Sequence, residues 1–330
     1  MKALCVKPDR ELEVREIPTP TDPAPGHILV DMDSSAINHG DKTFLARPMT
    51  ISVPTSQHEV WGASGAGRVA AIGAGVPEIY AGKPVAIYRS LNRTPDTLGL
   101  WCERAQAPYL SCVILPDTVR PRDYSGSLVN AITPYAFLEH MRDEGHKGVV
   151  VTAAHSATGQ AMLALARRRG TPALYLVRSA AAQEDLRRLG AEHTLVTTEE
   201  GFEQRFATLA EQLGATAIFD GVGGELITRL APIAPANSTF FFYGFLAGAT
   251  PVSVPSALVM MRNLTMKRFS NFESATVKDR SKLEAALTDL RDAIGDPLFR
   301  TRIGKEFALD QIDEAMKFEA TPGAKAVLVM

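Results

Sequence analysis

From Ser125 onward, short β-branched runs alternate with stretches of helical periodicity, and no other feature of the chain narrows its fold as much. The segment 128–142 reads as a helix, "GVVVTAA" from Gly148 as a strand, and "TGQAMLALARRRG" as a helix that Gly170 is placed to stop. "ALYLVR", "HTLVT", "ATAIFD" and "STFFFYG" follow as strands, separated by the helical stretches "AAAQEDLRRLG", "GFEQRFATLAEQLG" and "LITRLAPIA". Parallel strands need crossovers long enough to hold a helix, so this alternation specifies an α/β unit with a parallel sheet covered on both faces. The doubly wound dinucleotide-binding fold is the first candidate.

Up to about Pro121 the texture differs. Short apolar runs such as "HILVDMDSSAI", "GAGRVAAIGAGV" and "LSCVILP" are broken by Gly, Pro and Asp, as in an irregular strand-rich module. After about Ser270 come a polar helix, "SKLEAALTDLRDAI", and a closing strand, "AKAVLVM", for which the N-terminal module is one possible pairing partner. At 330 residues the chain exceeds the size at which single cores stop growing, and two domains are expected.

Composition removes several function classes. A net charge of −2 gives no electrostatic reason to expect nucleic acid or an anionic membrane as partner. No apolar run reaches the ~18–20 residues that span a bilayer, and "MKALCVKPDRELEV" lacks a signal-peptide core, so a cytoplasmic protein is expected. The three cysteines, Cys5, Cys102 and Cys112, are too few for a four-thiolate zinc lobe and read as buried thiols.

The turn between the strand and helix at 148–170 carries the first chemistry. The glycine positions of a G-x-G-x-x-G loop fall on Ala154, Ser156 and Gly159. Such a loop needs a tight turn, close backbone approach to a pyrophosphate, and close helix packing. Ala154 and Ser156 stay small, Ser156 adds a hydroxyl, and Gly159 answers the demand that tolerates no Cβ. Ala157 and Thr158 open the helix, whose N-terminus favours an anion, while His155 reads as a solvent-facing loop residue. The next strand ends in Arg178, where a nucleotide lacking the 2′-phosphate would meet an acid; a guanidinium there suits NADPH. "FDGVGG", with Val222 and Gly223, and "FFFYG", with Tyr243 and Gly244, end further strands at the same edge.

Together "INHGD" (37–41), "GASGAGRVAAIGAGV" (62–76), "VNAITPYA" (129–136), "EGHKGVVVTAAHSATGQ" (144–160), "RRLGAEHTL" (187–195), "FDGVGGEL" (219–226) and "GAKAVLVM" resemble the medium-chain dehydrogenase/reductases, within them the zinc-free quinone oxidoreductases and 2-enoyl thioester reductases. The resemblance implies a GroES-like β-rich catalytic domain, 1–121 with 270–330, and a doubly wound Rossmann domain, 122–269, with the active site in the cleft between them. It places Asn38 and Thr133 beside the nicotinamide, with Tyr243 and Gly244 at the neighbouring strand end.

Zinc-dependent relatives carry cysteine where Asn38 stands, and histidine and glutamate where Ala63 and Ser64 stand, so no metal is expected; the pair His58 and Glu59 sits too early in the chain to replace them. The tyrosine proton donor of the enoyl thioester reductases falls near Met49, whose thioether cannot donate. Tyr88 and Tyr109 read as packing residues. The resemblance also implies a homodimer, with "PVSVPSALVM" either joining sheet edges or packing into the core. The function expected is an NADPH-dependent reductase of a small electrophile, a quinone or an α,β-unsaturated carbonyl compound. Enoyl thioester reduction and non-catalytic NADPH binding are the alternatives.

Overall fold

The computed structural model describes residues 1–46, 48, 56–319, 321 and 323–330, so Met49 lies outside the described residues. The chain divides into two units, 1–130 with 283–330 and 131–282. Both divisions fall later than the expected 121/122 and 269/270: 122–130, with the first turn of the helix Ser127–Asp143, stay with the first unit, and 270–282 go with the second.

The second unit is a six-stranded parallel sheet in the order His193–Val196, Ala173–Val177, Val149–Val151, Ala217–Asp220, Thr239–Phe242, Thr265–Arg268. The chain runs outward in one direction from Val149–Val151 and then returns to build the other half, so the order reverses between that strand and Ala217–Asp220. Ligands of open α/β sheets lie at the carboxyl ends of strands at such a reversal. Val149, Val150 and Val151 have no exposure, as a strand covered on both faces requires. On one face Phe202, Phe206, Ile218, Ile227, Leu230 and Phe240 form a single buried cluster. Helices begin and end as the residues predict: Ser156 caps Ala157–Arg169, and Gly170, at φ 63°, closes it in the left-handed conformation.

The first unit holds an antiparallel pair, Lys2–Val6 with Leu12–Glu16, and a seven-stranded sheet. The closing strand Lys325–Val329 does pair with the N-terminal module: Val327 lies opposite Ala36 and Leu328 opposite Ser35, antiparallel. Its other edge takes Ile303–Ala308 in parallel. Trp61, Trp101, Leu4, Ile37, Phe307 and Leu328 share one core in this unit, which ties both chain ends together. Among the described residues no helix is long and apolar enough to cross a membrane.

Candidate functional site

Thr152 follows the strand Val149–Val151 and sits at the reversal of strand order. Its hydroxyl donates to Asp220 Oδ1 at 2.5 Å and accepts the Gly221 N–H at 2.9 Å. The carboxylate of Asp220 also takes the N–H groups of Val222 (3.1 Å) and Gly223 (2.7 Å), which winds "FDGVGG" into a closed turn. Gly223 has φ 75° and ψ −160°, a conformation open essentially to glycine alone. Burial raises the Asp220 carboxyl above its ordinary value, opposed by the hydrogen bonds from Thr152, Val222 and Gly223. Val222 and Gly223 therefore shape the turn with N–H groups already committed.

In the neighbouring turn the left-handed residue is Ala153, at φ 49°, and the Ser156 N–H closes on its carbonyl at 2.9 Å. The tight-turn role expected at Ala154 belongs one residue earlier; Ala154 is buried and spends its N–H on Leu176. Ser156 accepts the Gly159 N–H at 3.1 Å, capping the helix that Ala157 and Thr158 open. A Cβ on Gly159 would lie 2.3 Å from the Ala154 carbonyl oxygen, so strand turn and helix meet as closely as the loop demands. His155 is not solvent-facing: its side chain is 17% exposed, with Nε2 3.3 Å from Asp185 Oδ2.

Tyr243 lies across these turns. Its ring stacks on Phe219 at 3.9 Å and 16°, and its hydroxyl hydrogen-bonds Ser156. Burial, then the charge of Asp220, raises its pKa. A Cβ on Gly221 would come within 2.6 Å of the Tyr243 hydroxyl, and one on Gly244 within 2.9 Å of the Gly221 carbonyl oxygen. Ser156, Gly221, Tyr243 and Gly244 are thus knit together at adjacent strand ends, and the Ser156 hydroxyl expected to meet a phosphate is shared with Tyr243. Arg178 ends the next strand, exposed, with no side-chain partner among the described residues. Thr133 sits half-buried on the helix Ser127–Asp143.

Asn38 belongs to the first unit, where it precedes the helix His39–Leu45. Its Nδ2 donates to Ser64 Oγ (2.8 Å), Asp41 Oδ2 (3.1 Å) and the Ala36 carbonyl (3.3 Å), and its Oδ1 accepts from Lys325 at 2.5 Å. Asp41, 3% exposed, also takes the backbone N–H groups of Asn38 and Ala63. Its pKa is raised by burial and drawn back by the Asn38 hydrogen bonds, then by Arg89 and Lys325. An amide, a methyl and a hydroxyl stand at Asn38, Ala63 and Ser64, a donor set that does not suit Zn²⁺. His58 and Glu59 lie exposed in a short 3₁₀ turn, Glu59 paired with Arg15 at 3.1 Å. Tyr109 packs edge-on against Tyr80 at 5.6 Å and donates to Glu284.

Reading residues alone missed Thr152, Asp220, Ala153 and Lys325 as site residues. Asp220 carried the one available signal, an acid leading a glycine-rich turn.

Residues 140–288 match the family model of the zinc-binding dehydrogenases. The mitochondrial enoyl-[acyl-carrier-protein] reductase of Dictyostelium discoideum is 24% identical over 274 residues, 80% of this chain and 75% of that one. The 2-haloacrylate reductase of a Burkholderia species is 21% identical over 304 residues, 90% of this chain and 88% of that one. The crystal structure of Escherichia coli quinone oxidoreductase complexed with NADPH superposes with a TM-score of 0.75 at 20% identity, covering 100% of this chain and 99% of that one. Residues 140–288 thus match the zinc-binding dehydrogenase family model, and the chain shares the fold of Escherichia coli quinone oxidoreductase over its whole length.

Proposed function

We propose that the chain is an NADPH-dependent, zinc-independent oxidoreductase that reduces a quinone or an α,β-unsaturated carbonyl compound. The observation that carries this reading is the cradle at the strand-order reversal, where Gly159 packs on Ala154 without room for a Cβ and a helix N-terminus faces the turn. Arg178, exposed at the next strand end and without a side-chain partner among the described residues, supports a nucleotide with a 2′-phosphate. Relatives named as reductases of enoyl and haloacrylate compounds, and a neighbour solved with NADPH, point the same way.

In this reading Ala154 to Gly159 hold the pyrophosphate, with Ser156 turning its hydroxyl from Tyr243 to a phosphate oxygen. Val222 and Gly223 bound the crevice through the turn that Asp220 pins. Thr133, Tyr243 and Gly244 serve the nicotinamide end, and Asn38 serves the electrophile. When bound, NADPH supplies the hydride. The donor set at Asn38, Ala63 and Ser64 leaves polarisation of the acceptor to hydrogen bonds rather than to zinc.

A homodimer is part of the proposal. The strand Thr265–Arg268 is the outer strand of its sheet, and Met260 and Met261, just before it, are 81% and 85% exposed. The buried, free thiols Cys5, Cys102 and Cys112 suit a reducing compartment, in keeping with the cytoplasm.

Steady-state rates with NADPH and NADH against 1,4-quinones, enones and enoyl thioesters test the assignment. Turnover with NADPH and a quinone or enone is expected; none with any acceptor defeats it. The Dictyostelium relative favours enoyl thioesters as the second reading, and dominant turnover of that class would select it.

A further inference from the structure

Lys325 begins the closing strand, and its ammonium donates to Asn38 Oδ1 at 2.5 Å. Its stem runs along Gly126, where an added Cβ would lie 3.4 Å from Lys325 Cδ and Cε. The Asn38 amide is nearly exhausted by this arrangement, since Nδ2 serves Ser64, Asp41 and the Ala36 carbonyl while Oδ1 serves Lys325. An amide holds its protons in any case. The ammonium is different: it has three N–H bonds, and among the described residues only Asn38 takes one.

The charges around it are few. Among the described residues Asp41, on the helix His39–Leu45, is the one charged group that bears on Lys325, and Asp41 is itself faced by Arg89 and Tyr88 at the end of the strand Pro84–Tyr88. One buried carboxylate therefore stands between two cations, of which only the lysine releases a proton readily. Burial disfavours the ammonium and holds its pKa down at about 8, with Asp41 pulling the other way.

We propose that Lys325 is the proton donor of the reduction, acting on an acceptor bound against Asn38; the assignment rests on the function proposed above. The balance is simple for an enone. The C4–H bond of the nicotinamide breaks, a C–H bond forms at the β-carbon, and the electron pair of the C=C bond moves into the enolate. An N–H bond of Lys325 then breaks as its proton passes to the α-carbon, and the neutral amine regains a proton from water. A quinone differs, because its hydroquinonate takes protons from water directly. The lysine thus takes the role that the resemblance gives to a tyrosine near Met49.

The test compares Lys325→Met and Lys325→Arg with the unaltered chain on an α-substituted enone and on a 1,4-naphthoquinone. General acid catalysis is worth roughly 10²–10⁴-fold, so kcat with the enone is expected to fall about 100-fold in both variants. With the quinone it falls much less. The arginine variant keeps the cation and its hydrogen bond to Asn38, so its loss reports the proton and not the fold. In the unaltered protein the enone rate declines as pH rises through about 8 and the quinone rate does not. A readout without cofactor is the titration of the Lys325 amine by NMR, its signal identified by absence from Lys325→Met and expected to move near the same pH. Equal losses on both acceptors, an unchanged enone rate in either variant, or a lysine titrating in the ordinary range would overturn the assignment. Failure of the unaltered protein on every acceptor would instead sink the proposed function, and this assignment with it.

Discussion

Thr152 and Asp220 join two adjacent strand ends through a 2.5 Å hydrogen bond, and neither has any exposure. The same carboxylate holds the N–H groups of Val222 and Gly223, so one side chain sets the shape of a whole turn. Asp220→Asn replaces an acceptor with a donor that must face a donor, and leaves a buried group unsatisfied. We expect a loss of about 1–3 kcal/mol in urea-induced unfolding, together with weaker NADPH binding. Unchanged stability would mean that the turn does not depend on the carboxylate.

Gly159→Ala tests the cradle. The new Cβ would sit 2.3 Å from the Ala154 carbonyl oxygen, a backbone atom with no easy way to retreat. Overpacking of this kind costs about 1–3 kcal/mol, and the displaced helix N-terminus should cost NADPH affinity as well. Ala153→Gly works the other way: Ala153 sits at φ 49°, where glycine relieves a strain of roughly 1 kcal/mol. Thermal unfolding of both variants, with and without NADPH, measures the two effects; a stabilised Gly159→Ala would refute the packing argument.

The parallel sheet was legible because periodicity is a local property: each strand and helix from 128 to 242 announces itself within a few residues. The partner of the closing strand was open, since pairing across almost 300 positions leaves no local trace, and Leu328 opposite Ser35 emerges only in the fold. Gly159 could be read from the motif, but which alanine takes the left-handed conformation could not, because Ala153 and Ala154 are the same residue type and differ only in backbone conformation. Lys325 was invisible for the first of these reasons: a lysine in "GAKAVLVM" looks like any strand-end cation until Asn38 stands 2.5 Å away.

Arg178 should decide between the two nicotinamide nucleotides. Its guanidinium is exposed and has no side-chain partner among the described residues, so removing it leaves no buried charge behind. A hydrogen bond to a charged group is worth about 1.5–3 kcal/mol, which corresponds to roughly a 10- to 150-fold change in affinity. Arg178→Ala is therefore expected to weaken NADPH binding by that factor and leave NADH binding unchanged. Titration of intrinsic fluorescence with each nucleotide measures both constants, and equal losses for the two would remove Arg178 from the 2′-phosphate.

Met260 and Met261 bear on assembly. Both are more than four-fifths exposed beside the outer strand Thr265–Arg268, although Val252, Val254, Leu258 and Val259 of the same segment pack inward. The apolar stretch thus divides between core and surface. Met260→Asp with Met261→Asp places two like charges on the exposed part and should convert a dimer to a monomer in sedimentation velocity, with the circular dichroism spectrum unchanged. A wild-type monomer, or a dimer indifferent to the charges, would reject this surface as the interface.

Lys325 also leaves a mark on stability. Its folded pKa, about 8, lies below the ordinary lysine value of 10.5. Between those values the unfolded chain keeps a proton that the folded chain has released. Stability from this group therefore rises with pH across that window, whereas below about 8 both states are charged and the part-buried ammonium is a constant penalty. The full rise is at most about 3 kcal/mol. Other groups that titrate in the same range do so in both proteins, so the informative quantity is the difference in unfolding free energy between the unaltered chain and Lys325→Met. That difference should move in favour of the unaltered chain from pH 8 to pH 10 and stay flat from pH 6 to pH 7.5. A flat difference across the whole range would mean that the ammonium is as well solvated in the fold as in the unfolded chain, and its hydrogen bond to Asn38 would then be an ordinary surface contact.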